Sequence, residues 1–230
     1  MKKTISVCFV LFTFIILSSQ TALAGDFLKN LLRGGRGIEG SGDLVTEERE
    51  VREFDEIRSY GSFDIIVTIG EPRSVKLTFD DNLIDIIETD VRSGVLKIRT
   101  DESYSSDRPC QVEITVPHLK GLYLSGSGDI DVSSLDEDYF ECSISGSGDI
   151  NLEGKARETE FKISGSGEID ARDLTADDVY VKISGSGDVR VHAEESFDGT
   201  VSGSGNIYYS GQPNSLSTSV SGSGRIKKIR

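Results

Sequence analysis

The chain is poor in the residues that most often build metal and catalytic sites. It has two histidines, three cysteines, one methionine and no tryptophan among 230 residues. Two histidines and the two cysteines that lie beyond the N-terminal region are the bare minimum for a zinc site, and so small a supply argues against a dedicated one. No GxSxG stretch is present. His118 in "VPHLKG" and His192 in "VRVHAE" have no nucleophile motif beside them, so both read as strand or turn residues. The GxGxxG match that begins at Gly35 follows no clear strand and opens no helix, which denies it the context of a dinucleotide site. Basic charge is also scarce. Lys and Arg number 25 against 39 Asp and Glu, for a net charge of −14. That field repels nucleic acid and anionic lipid, and on this ground nucleic acid is excluded as a partner.

Only one long apolar run exists. It spans Val7 to Leu17, follows Lys2 and Lys3, and precedes the small residues Ala22 and Ala24. This is the pattern of a Sec-type signal peptide, residues 1–24, with cleavage after Ala24. The run is short for a spanning helix. Cys8 lies within it rather than at its end, so no lipid-attachment box is formed. No other segment can span a bilayer as a helix. The sequence therefore predicts an exported protein without a membrane span after cleavage, resident in the periplasm, at the cell surface or outside the cell. Export leads to an oxidising compartment, which makes Cys110 and Cys142 a candidate disulfide. Two buried thiols in neighbouring layers are the alternative.

What the chain has in abundance is a repeat. SGSG begins at residues 125, 145, 164, 184, 202 and 221, a period near 20. A sustained period of this length is the signature of a solenoid. Each unit reads as strand, glycine stretch, strand. In "FECSISGSGDINLEG", Cys142 and Ile144 alternate with polar residues before the glycines, and Ile150 and Leu152 do so after them. Period two means strand. Counting inward from Ile144 puts Gly146 and Gly148 on the inner side. A sharp bend or a close facing wall there leaves no room for a side chain. The reading is an all-β protein, a parallel β-solenoid with coils of about 20 residues.

The domain map is a flexible leader over 25–43 and a single β-solenoid over 44–230. Its coils are irregular to about residue 120 and regular from 121 to 230. "EGSGDL", residues 39–44, is a candidate echo of the repeat. "DDNLIDIIETDV" reads as a short helix or an irregular coil. "GRIKKIR" reads as a charged end cap, and of Tyr208 and Tyr209 one belongs to the core.

Stacked coils convert the repeat into ladders. Ser127, Ser147, Ser166 and Ser186 form one. Asp129, Asp149, Glu168 and Asp188 form a second, which ends in Asn206 and Arg225. These eight Ser, Asp and Glu residues are the candidate ligand-binding groups. Carboxylates one coil apart repel unless solvated or bridged by a cation, so calcium is a candidate cofactor; a solvated acidic edge is the alternative. Asp170, Arg172, Asp188 and Arg190 are the cluster that a polysaccharide-cleaving enzyme on such a scaffold would use.

The repeated SGSGD, the lead-in "VEITVPHLKGLYLSGSGDIDV", the upstream "DDNLIDIIETDVRSGVLKI" and the closing "SGSGRIKKI" together resemble the head GIN domain family, described as heads of autotransporter adhesins. The resemblance implies a right-handed parallel β-helix and a cell-envelope or extracellular role. The family has no established catalytic residues, so none carry over. The expectation is an exported, non-enzymatic, adhesin-like or scaffold protein that binds a surface polymer, a glycan or a surface protein, with homo-oligomers allowed by its open ends. A β-helix lyase or hydrolase and a purely structural envelope protein are the alternatives.

Overall fold

The structure, a computed structural model, describes residues 37–230. The expected signal peptide, most of the expected leader and the start of the GxGxxG match lie outside the described residues. Fifteen strands form one continuous sheet: β1 Leu44–Glu48, β2 Glu56–Tyr60, β3 Asp64–Ile69, β4 Ser74–Asp80, β5 Glu88–Arg92, β6 Val95–Arg99, β7 Gln111–Val116, β8 Gly121–Leu124, β9 Ile130–Ile144, β10 Ile150–Ile163, β11 Glu168–Ile183, β12 Asp188–Val201, β13 Asn206–Gly211, β14 Ser215–Val220 and β15 Arg225–Lys228. The sheet winds into a β-solenoid of about five turns.

Each glycine stretch joins two walls. The first wall stacks the strands that precede the glycines: Leu124, Ile144, Ile163, Ile183, Val201 and Val220 are in parallel register. The second stacks those that follow: Ile130, Ile150, Ile169, Val189, Ile207 and Ile226. Alternation sends these apolar side chains inward, and Phe63, Phe140, Phe161 and Phe197 fill the space between the walls. Each such ring contributes about 1.5–3 kcal/mol by leaving water. Tyr209 is buried and stacks on Phe197 at 4.6 Å, whereas Tyr208 lies under the Arg190 guanidinium on the outside.

The irregular half is built from the same unit in a different order. β2 and β3 form the coil beneath β8 and β9, with Leu122 against Ile57 and Ile130 against Ile65. The coil of β6 and β7 lies outside that one, although it comes later than β2 and β3 in the chain. Antiparallel strands finish both walls here. β5 folds back on β6 through Ser93 and Gly94, whose φ values of 51° and 79° fit the tight two-residue hairpin. β4 lies antiparallel to both β7 and β1. "DDNLIDIIETDV" resolves into a single 3₁₀ turn, Ile84–Ile86, followed by β5.

"EGSGDL" is not a coil of the solenoid. The buried Asp80 carboxylate accepts the Gly42 N–H at 2.8 Å, and Ser41 and Asp43 bond Asp81 and Asn82. The segment then enters β1, which runs antiparallel to β4. The likeness to the repeat is one of composition alone.

Candidate functional site

The glycine stretch explains itself through the coil below. A Cβ on Gly148 would stand 2.1 Å from the Gly128 carbonyl oxygen, and one on Gly167 2.0 Å from that of Gly148. The obstruction is neither a facing wall nor a special φ. It is the backbone of the neighbouring coil, approached along the stacking axis, and it recurs from coil to coil: Gly128 sits on Phe63 and each later glycine of the repeat on another glycine. In this close stack the Ser147 N–H bonds the Gly126 carbonyl at 3.0 Å, Ser166 bonds Gly146, Ser186 bonds Gly165 and Ser204 bonds Gly185.

With their backbones so engaged, Ser127, Ser147, Ser166 and Ser186 project outward and are exposed, as are Ser125, Ser145, Ser164 and Ser184. The result is a double row of serine hydroxyls along one edge. Ser127 Oγ lies 3.2 Å from Ser62 Oγ in the first coil. Tyr60, Ser62, Ser125, Ser127 and Ser147 line a shallow cleft of about 470 Å³ at the start of the row.

The acidic ladder has a different job. The Asp129 carboxylate accepts the backbone N–H of Asp149 at 2.9 Å, Asp149 that of Glu168 at 2.8 Å, and Asp188 that of Asn206 at 2.8 Å. The series begins a coil earlier than the repeat suggests, with Asp64 accepting from Asp129 at 3.0 Å. A short carboxylate just after the bend satisfies an amide that the next coil presents there. Glu168, one methylene longer, turns instead to an ion pair with Arg190. Burial and the Asp129 charge push the Asp149 carboxyl above its usual range. The ladder carboxylates are thus partly committed to holding coils together. Among the described residues no group of three or more His, Cys, Asp or Glu is placed to hold a metal ion.

The residues named for cleavage chemistry pair off locally. The Arg172 guanidinium grips Asp170 with Nε 2.9 Å from Oδ1, and holds its carboxyl below the ordinary range. That is the wrong direction for a general acid, which needs a raised value. Arg190 is engaged by Glu168, and Asp188 by Asn206. His118 bonds Glu137 and His192 bonds Ser210 and Glu194. Cys110 and Cys142 are both free, the first half-buried and the second fully enclosed in the core. Burial raises both thiols above their usual range.

One polar network escaped the sequence reading. On the outer side of the first wall the Tyr123 hydroxyl donates to Glu141 at 2.9 Å, and Lys162 donates to Glu141 at 2.9 Å. Lys162 also pairs with Glu160, which accepts from the Tyr139 hydroxyl at 3.2 Å. Burial and Glu141 push Tyr123 up to about 12. Glu160 and Lys162 face Glu141 and Ser143 in adjacent coils, a juxtaposition legible only once the period of the coil is applied to the outward residues.

Comparison with known proteins follows this architecture. Residues 53–213 match the family described as "Putative auto-transporter adhesin, head GIN domain". A structure named as a putative adhesin from Bacteroides fragilis is 29% identical, with a TM-score of 0.68, over 84% of this chain and 100% of that one. A putative adhesin from Parabacteroides distasonis is 25% identical, with a TM-score of 0.55, over 84% and 99% of the two chains. A protein of the same organism named as a putative lipid binding protein is 27% identical, with a TM-score of 0.55 and the same coverage. No curated protein matches.

Proposed function

This chain belongs to the head GIN domain family of autotransporter-adhesin heads, and from that premise we propose that it is an exported, non-catalytic, adhesin-like protein that binds a repetitive surface polymer, a glycan first of all, along its serine edge. The observation that carries this reading is the double row of exposed hydroxyls, repeated coil after coil on a backbone that cannot yield because each bend rests on the one below. A polymer with repeating hydroxyls meets repeating donors and acceptors at strand spacing, about 4.8 Å. Many weak contacts then add through effective concentration.

Within this reading Ser127, Ser147, Ser166 and Ser186 make the contacts. Asp129, Asp149 and Asp188 fix the bends that present them, Glu168 is tied to Arg190, and all four offer only their remaining acceptor capacity. Calcium is not required for the contact.

The test is incubation of the protein with a panel of envelope and matrix polysaccharides, with calcium or with chelator, reading binding and chain scission together. Saturable binding of intact polymer, unchanged by chelator, is the expected result. New reducing or unsaturated ends would replace this reading with an enzyme. Binding abolished by chelator would move the site to a cation held by the acidic ladder.

A further inference from the structure

The two walls run out at both ends of the solenoid, and the ends differ. At the tail the last strands are β14 and β15. Their inward positions Leu216, Val220 and Ile226 are in register with the buried Phe197, Val201 and Ile207. Among the described residues nothing covers the first two: Leu216 is 54% exposed and Val220 46%. Their outer backbone groups form an open sheet edge, a template for another strand. The charge is of one sign. From Gly199 to Arg230 there is no Asp or Glu, but there are Arg225, Lys227, Lys228 and Arg230.

At the head the second wall ends on β1, which among the described residues pairs only with β4. Leu44 and Val45 on this strand are exposed. Glu39, Asp43, Glu47, Glu48 and Glu50 surround it against two cations, Arg49, occupied by Glu47 and the Ile84 carbonyl, and Lys76, in register with Glu48 on β4. β1 and β15 are therefore opposite edges of one wall. Each carries exposed or half-exposed apolar side chains, one among acids and the other among bases.

We propose that the protein associates with a second copy of itself head to tail, β15 of one copy meeting β1 of the next, with β14 meeting β5 on the other wall. Charge selects this polarity. Tail-to-tail contact sets four cations against four, head-to-head contact sets acids against acids, and only the head-to-tail contact joins opposite signs. The contact is heterologous and leaves a free end on each copy, so it propagates as an open filament rather than closing as a dimer. This goes beyond the adhesin reading and does not depend on any ligand.

Sedimentation of the purified protein at rising concentration tests it, at low and high salt. The expected result is mass that grows with concentration and shrinks with salt. Two variants give the polarity: Lys227→Glu with Lys228→Glu at the tail, and Glu48→Lys with Glu50→Lys at the head. All four side chains are outside the core, so both variants fold, as circular dichroism will verify. Each alone should associate about tenfold or more weakly than the parent, and an equimolar mixture should regain association, because the reversed tail of one fits the reversed head of the other. A parent that stays a single chain at every concentration overturns the proposal. So do variants that associate as well as the parent, or a mixture that fails to recover.

Discussion

The Asp129 carboxylate accepts the backbone N–H of Asp149 across 2.9 Å, one coil on. Acidic side chains in successive bends, Asp129 to Asp188, would be a liability if they only faced one another. Here Asp129 serves as the acceptor for an amide that the ladder leaves over. Replacing Asp129 with Ala strands the Asp149 N–H and should cost about 1 kcal/mol, whereas Asn keeps an acceptor at the same reach and should cost less. The midpoint of urea unfolding separates the three proteins.

The glycines obey a stricter rule. Ala at 148 would put its Cβ 2.1 Å from the Gly128 carbonyl oxygen, a contact that only a backbone shift can relieve. The expected loss is about 3 kcal/mol. Gly70→Ala is the control, since its nearest neighbour would be Thr115 Cγ2 at 3.8 Å, and it should change the unfolding midpoint little.

The two thiols should differ in reactivity. Cys142 has no exposed surface and Cys110 is half-buried, and burial raises both above the usual thiol range. Alkylation of the native protein should label Cys110 slowly and Cys142 not at all. Denaturation without reductant should then expose Cys142 to full labelling. A disulfide between them would block both.

Acid should weaken the fold in a residue-specific way. Burial works to raise Glu141, but the hydrogen bonds from Lys162 and Tyr123 outweigh it and hold its carboxyl low. The Arg172 hydrogen bond does the same for Asp170. A depressed folded value means stability that is complete above the ordinary carboxylate range and is lost as pH falls through the folded value. Asp149 has the opposite sign, its raised value giving a penalty that acid relieves. Unfolding free energy measured against pH should therefore fall less steeply in acid for Glu141→Gln, and more steeply for Asp149→Asn.

The regular half of this fold is legible because each coil is contiguous in sequence. Period two around SGSGD gives the two walls, the inward residues and the serine edge. The reason for the glycines is not legible, since the atom that excludes a Cβ belongs to a residue about 20 positions earlier. The place of Asp64 in the ladder is hidden more deeply. It lies 65 residues before Asp129, because the β6 and β7 coil is stacked beyond its own predecessor, and the bend there reads Tyr60-Gly-Ser-Phe-Asp64, without the second glycine. Phe63 takes that place and sends its ring into the core against Phe79. The ladder carboxylates look like free ligands in sequence because an acceptor role toward a backbone amide leaves no mark on composition. The Tyr123, Glu141, Lys162 and Glu160 network is invisible for a related reason: outward positions vary from coil to coil, so no repeat announces them.

The most direct test of the division of labour on this edge is the combined variant Ser127→Ala, Ser147→Ala, Ser166→Ala and Ser186→Ala, assayed for polysaccharide binding and for urea unfolding side by side. The proposed function assigns ligand contact to the serines, while the aspartates hold the coils, so binding should fall about tenfold or more while the unfolding midpoint stays near that of the parent. Undiminished binding with an unchanged midpoint would contradict the account and take the ligand away from the serine edge.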